Sequence, residues 1–253
     1  KILEKYSKEI FIGPNNGFAA NFISSLRKIS DGYDFYCFCD HDDIWMDNKL
    51  KVSTKILKKF DKSKPNLYCG RTKLINKTGD EIGLSPLFKR NPSFSNALVQ
   101  SIAGGNTMTF NLEVKKLLAK ADLKEPIVSH DWLTYILVTA FNGNVFYDPN
   151  PLVKYRIHEA NEIGSNIGIV ALIKRCKKVL NGTWKNWIDS NISQISEIMS
   201  QRDKNSNILK NFLEVRYGKN VFVRLFSLYK HRFYRQTVLG NFALIIMVVF
   251  KKL

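Results

Sequence analysis

The chain has 253 residues, a hydrophobic content of 45% and a formal net charge of +17. Its length allows one domain with appendages or two small ones, and its apolar content is ordinary for a globular protein with a real core. The four cysteines, at 37, 39, 69 and 176, form no C-x-x-C pair and read as free core thiols in a reducing compartment. Residues 1–8 are charged and helix-like, which argues against a secretory signal there. The charge is uneven: residues 168–253 hold 16 Lys+Arg against 4 Asp+Glu, whereas 1–167 hold 23 against 18. Such a basic C-terminal part points to an anionic partner, either nucleic acid or a membrane surface.

In chain order, residues 1–9 read as the end of a helix and Ile10, Phe11 and Ile12 as a short strand. Residues 13–17 (GPNNG) are a turn, and 18–29 have helical spacing with Phe18, Phe22 and Leu26 in one row. Next comes Phe35-Tyr36-Cys37-Phe38-Cys39. A run without polar alternation predicts a strand buried on both faces of a parallel sheet, with Cys37 and Cys39 inside it. The order strand, turn, helix, strand is a β/α pattern and makes the fold class α/β.

The run turns acidic at Asp40-His41-Asp42-Asp43. Ligand sites in open α/β sheets lie beyond the carboxyl ends of strands. Carboxylates crowded there repel one another unless a cation neutralises them, and Mg²⁺ takes a few carboxylate oxygens plus water and substrate phosphate. Asp40-x-Asp42 thus reads as a metal clamp for a diphosphate. The alternative is a solvated acidic turn with Asp43 or Asp47 capping the next helix.

Residues 48–60 form a Lys-rich helix with Leu50, Ile56, Leu57 and Phe60 apolar. Residues 66–75 make one strand, 76–80 a turn, and 83–98 a long loop suited to an acceptor-side flap. Gly104-Gly105-Asn106 leads into a strand over 107–111, where Asn111 caps a helix over 112–121. The paired glycines fit either a close backbone approach to a ligand or a tight turn. Asp131 starts a helix over 133–141 and can serve as its cap. Two strands, 144–147 and 152–156, follow. Arg156 fits a diphosphate clamp or a surface ion pair, and His158 a metal ligand or a structural histidine.

These blocks carry a resemblance. DHDDIW followed by NKL, NNGFAANF at 15–22, GGNTMTFN at 104–111, HDW at 130–132 and YRIHEAN at 155–161 resemble, in order and spacing, the inverting family 2 glycosyltransferases. The branch is that of bacterial rhamnosyltransferase-like enzymes of polysaccharide biosynthesis. The resemblance covers roughly residues 1–165. It implies a glycosyltransferase A-type catalytic domain there, with a mixed Rossmann-like sheet. It also implies Asp40, Asp42 and His158 around Mg²⁺ or Mn²⁺, and Asp131 as the general base. Asn16, Gly17, Asn21, Asp43, Trp45, Lys49, Gly104, Gly105, Asn106, Trp132 and Arg156 would then line donor and acceptor. Enzymes of this family begin with a strand, helix and strand that grip the nucleoside, so this chain looks truncated by about one βαβ unit.

Residues 166–253 read as a separate, basic helical region. Residues 171–180 and 184–199 have helical spacing, and 201–210 is a polar connector. Residues 221–250 interleave aromatics with Arg224, Lys230, Arg232 and Arg235, then become almost purely apolar over 242–250 before Lys251 and Lys252. Nine apolar residues cannot span a bilayer as a helix, but the pattern suits a helix lying in the membrane interface. The alternative is a helix docked on the catalytic domain.

The expected protein is therefore a cytoplasmic enzyme, peripheral at the inner face of the cell membrane. It would take a dTDP- or UDP-linked sugar and a glycan or lipid-linked acceptor, with no nucleic acid. The rival readings are a nucleic-acid-binding module, which the unbroken apolar run does not suit, and a non-catalytic remnant.

Overall fold

A computed structural model describes residues 9–157, 179, 181–200 and 203–253. In chain order its elements begin with α1 (Gly17–Lys28), β1 (Phe35–Cys37), β2 (Ile44–Trp45), α2 (Lys49–Leu57), β3 (Asn66–Gly70), β4 (Lys73–Ile75) and β5 (Glu81–Leu84). Next are α3 (Phe94–Ala97), a 3₁₀ turn at Gly105–Thr107, β6 (Thr109–Asn111), α4 (Leu112–Leu118), α5 (His130–Ala140), β7 (Asn144–Asp148) and β8 (Val153–Arg156). Four helices close the chain: α6 (Thr183–Ile198), α7 (Ser206–Tyr217), α8 (Val221–Lys230) and α9 (Val238–Val249).

The architecture is mixed α/β, consistent with a glycosyltransferase A-type fold. One sheet has the order β1-β6-β3-β7 and a second the order β2-β8-β4-β5. Two chain segments cross from the first sheet to the second. β3 lies parallel to β7, and their continuations β4 and β8 lie parallel to each other. The crossing is tight at Gly70, where an added Cβ would stand 3.1 Å from the Asp148 carbonyl oxygen. Tyr68 donates to Asp148 Oδ2 at 2.8 Å across the same pair. The single strand expected over 66–75 is therefore two strands in two sheets, because the chain turns at Arg71 and Thr72.

The strand before the acidic turn differs from expectation as well. β1 covers only Phe35–Cys37, pairs antiparallel with β6, and ends the strand order of its sheet. Tyr36 and Phe38 are buried against Phe110, whereas Cys37 is half-buried and Cys39 exposed. The burial alternates with the pleat; cysteine, being small and apolar, hid that alternation. Ile10, Phe11 and Ile12 form no strand, and Ile10 and Ile12 are exposed.

Among the described residues the larger of two hydrophobic clusters is centred on α5, and a smaller one gathers Leu57, Tyr68 and Leu152. Trp132 and every residue after it in that helix are buried. The larger cluster runs from Ile23, Phe38 and Phe110 through Leu133 and Ile136 to Phe212, Leu228 and Leu244 in the C-terminal helices. Polar contacts add to this junction. Asn205 Nδ2 donates to the Thr139 and Ala140 carbonyls, satisfying the end of α5. Asn96 Nδ2 donates to the Tyr234 carbonyl at 2.9 Å, and Gln236 N–H to Gln100 Oε1 at 2.8 Å. Of the loop expected over 83–98, residues 85–93 are without helix or strand as expected, while 83–84 end the exposed strand β5 and 94–97 form the mostly buried turn α3.

In the expected connector over 201–210, α7 already starts at Ser206 and buries Leu209. Arg224, counted above among the basic residues of the tail, is only 4% exposed. Its guanidinium donates to the Val248, Val249 and Gly218 carbonyls and so staples α8 to the end of α9. The helix expected over 171–180 lies outside the described residues, apart from Val179.

Candidate active site

The acidic turn follows β1 directly. Asp40, Asp42 and Asp43 are all half-buried there. Asp43 is held at both oxygens: Oδ1 accepts the Arg156 backbone N–H at 3.0 Å, and Oδ2 accepts Asn106 Nδ2. Arg156 returns the tie, with Nε donating to the Asp42 carbonyl at 3.0 Å and Nη1 to the Lys77 carbonyl at 2.8 Å. This side chain, expected as a phosphate clamp or an ion pair, braces the acidic loop against the turn after β4.

Burial first, then the neighbouring Asp43, Asp42 and Asp131 carboxylates, push the Asp40 carboxyl up to about 6. Burial also raises Asp43, partly offset by its bonds from Arg156 and Asn106. Asp131, from the distant α5, is therefore close enough to act electrostatically on Asp40. Among the described residues, no three His, Cys, Asp or Glu side chains are grouped so as to hold a metal ion by themselves. Mg²⁺ and Mn²⁺ do not require such a group, since these ions are commonly held by one or two carboxylates plus substrate phosphate. His158 lies outside the described residues.

Asp131 sits half-buried in the first turn of α5. Ser129 is the N-cap, its side chain accepting from Trp132 N–H at 3.4 Å, and Asp131 Oδ1 accepts from the same N–H at 2.6 Å, so Asp131 shares the capping expected of it. Serine is a strong N-cap, and its place two residues earlier leaves Asp131 in the first turn. Trp132 turns the other way: its ring is in the core beside Trp184, and Nε1 donates to the Ala97 carbonyl at 2.7 Å. It supports the helix from below instead of lining an open donor site.

Lys49 is likewise turned inward and only 1% exposed. Its Nζ lies 3.7 Å from the Trp45 ring centroid, and burial lowers its pKa. Among the described residues, neither Lys49 Nζ nor Trp45 Nε1 has a hydrogen-bond partner. The pair fixes the segment behind the acidic turn by a desolvated cation–π contact. Of the remaining residues, Gly17 holds a positive φ of 80° at the start of α1, a conformation that favours glycine. Asn16 Nδ2 donates to the Leu123 carbonyl, and Asn21 packs against Gly13. None of these contacts ties the first turn to the acidic cluster.

His130 is a residue that the sequence reading passed over. It is buried within an aromatic box, stacked on Phe22 at 4.2 Å and edge-on to Phe38 at 4.5 Å. Burial holds its pKa down, which favours the neutral ring. A Cβ on Gly105 would stand 2.1 Å from its Nε2. His130 therefore seats the Gly104-Gly105-Asn106 loop against the helix that carries Asp131. Its position next to Asp131, with phenylalanines at 18, 22 and 38, was the available signal.

The mixed α/β fold is consistent with the glycosyltransferase A-type class. No family model matches the chain. The chain is a distant relative of a glycosyltransferase: it is 25% identical over 198 residues to the dTDP-rhamnosyl transferase RfbG of Shigella flexneri. The match covers 73% of this chain and spans 63% of the length of that relative.

Proposed function

We propose that the chain forms the catalytic part of a family 2 glycosyltransferase. It would move a sugar from a nucleotide diphosphate donor to a hydroxyl of a surface glycan or lipid-linked acceptor, with inversion, at the inner face of the cell membrane. The observation that carries this reading is that Asp131, at the start of α5, acts electrostatically on Asp40 in the acidic turn. An inverting transfer needs a carboxylate on one side of the anomeric carbon and charge compensation for a diphosphate on the other. RfbG supports a dTDP-linked donor, with rhamnose as the sugar.

Asp40 and Asp42 would hold Mg²⁺ or Mn²⁺, which as a Lewis acid stabilises the departing diphosphate. Oxygen donors suit these hard ions, and the Asp40 carboxyl, raised first by burial and then by the neighbouring carboxylates, is one whose charged form a cation would favour. Asp43 is already committed to Asn106 and Arg156 and acts as the anchor of the loop. Asp131 takes the proton from the acceptor hydroxyl as that oxygen attacks. Its place in the first helical turn fixes it, while the dipole makes it a weaker base.

The test is turnover of dTDP- and UDP-linked sugars by wild type and Asp131→Asn. The variant is expected to lose about 10²–10⁴-fold in turnover and to keep metal-dependent binding of nucleoside diphosphate. Undiminished turnover would remove Asp131 from the mechanism.

A further inference from the structure

The outer faces of α8 and α9 carry an apolar and basic surface that the transfer chemistry does not use. Among the described residues, ten of the eighteen exposed large hydrophobic side chains fall between Tyr217 and Phe250. On α8, Phe222, Phe226 and Tyr229 follow helical spacing on one side, and Tyr229 is 86% exposed. On α9, Phe242 and Ile246 repeat that spacing, with Phe250 following the helix. Meanwhile Leu228, Leu244, Met247 and Val248 bury the opposite faces in the core. Each helix is thus apolar on two sides, and core packing accounts for only one.

The charge on this part of the chain has one sign. Residues 215–253 contain eight Lys+Arg and no Asp or Glu. Arg216 and Arg224 are buried in internal bonds, and Arg235 lies over the Trp184 ring. Lys219, Lys230, Arg232 and Lys251 remain exposed, with Lys252 half-exposed. One carboxylate, Glu214, is exposed in the groove it lines with Phe222, Phe226 and Lys230, where it accepts from Ser227 Oγ at 2.7 Å.

We propose that α8 and α9 together form a docking face for an anionic membrane surface. Neither helix can cross a bilayer: none among the described residues is long and apolar enough. Aromatic side chains entering the headgroup boundary, rimmed by Lys and Arg, are the usual means by which a helix lies in that interface. The Arg224 staple presents the two helices as one rigid platform, so binding need not order them first. A second copy of the chain fits poorly, because a two-fold contact through this face sets basic residues against basic residues. The inference is independent of which sugar, if any, the acidic site transfers.

The experiment is co-sedimentation of the full chain with vesicles of phosphatidylcholine alone or mixed with phosphatidylglycerol. Binding is expected only to the anionic vesicles at low salt. Replacing Lys251 and Lys252 by Ser should weaken it roughly 30-fold, about fivefold for each charge. The variant Phe222→Ser, Phe226→Ser, Phe242→Ser and Phe250→Ser should stay in the supernatant with its thermal unfolding unchanged, since these side chains are exposed. Wild type remaining in the supernatant at every composition overturns the proposal. So does a dimer in analytical ultracentrifugation that the Phe variant dissolves while vesicle binding is absent.

Discussion

Asp43 and Arg156 are joined through the main chain: the Arg156 N–H donates to Asp43 Oδ1 at 3.0 Å, and Arg156 Nε donates back to the Asp42 carbonyl at 3.0 Å. This exchange locks the acidic turn to β8, while Asn106 holds the second Asp43 oxygen from the glycine loop. Asn106→Ala leaves that half-buried oxygen without its donor. The variant is expected to lose about 1.5–3 kcal/mol, the usual range for a bond to a charged group. Urea unfolding measures it, and an unchanged midpoint would show that the bond contributes nothing to the folded state.

Asp40 sets a pH dependence of known sign. Its carboxyl is raised to about 6 by burial and by Asp43, Asp42 and Asp131. The folded state therefore keeps a proton that the unfolded state has lost. The stability this group contributes is present below the unfolded value, about 4, and is lost as pH rises through about 6. In metal-free buffer Asp40→Asn should match wild type near pH 4 and melt roughly 2–4 °C higher near pH 7. Thermal unfolding in chelator at both pH values checks the ordering. A variant that melts lower at neutral pH contradicts the assigned repulsion.

The grouping of carboxylates was legible in the sequence as motifs, but its supports were not. Helical spacing located α1 and α5, and the acidic run after an apolar stretch located the turn. Other features depend on tertiary position. The serine cap that leaves Asp131 in the first turn could have been read from Ser129 alone. The inward turn of Lys49, Trp132 and Arg224 could not, because lysine, tryptophan and arginine carry no local sign of which way they point. The alternation of Tyr36 and Phe38 against Cys37 and Cys39 was hidden by apolar cysteines, and the split of 66–75 by a crossing that needs the second sheet to be visible.

Gly105→Ala probes the seat of the glycine loop. The added methyl would stand 2.1 Å from His130 Nε2, and the imidazole is stacked on Phe22 and cannot swing aside. Overpacking of this kind costs about 1–3 kcal/mol. Chemical denaturation reads that loss, and a variant as stable as wild type would show that the loop and His130 are not in register as described.

Arg224→Ala removes the staple between α8 and α9. Three carbonyl acceptors lose a buried guanidinium. At about 1 kcal/mol or more for each bond, the expected loss is roughly 3 kcal/mol. Replacing the exposed Lys230 by Ala should instead change stability by less than about 0.5 kcal/mol. Equal effects from the two substitutions would contradict the inward placement of Arg224.

The central claim is metal-dependent transfer at the Asp40–Asp42 turn. Release of nucleoside diphosphate from dTDP- and UDP-linked sugars, with acceptor-containing membranes and Mn²⁺, tests it most directly. Wild type should release nucleoside diphosphate with Mn²⁺ and not with chelator, and Asp42→Asn should release none while folding normally. Release that persists undiminished in chelator or in Asp42→Asn, or no release from any nucleotide sugar, would contradict the account.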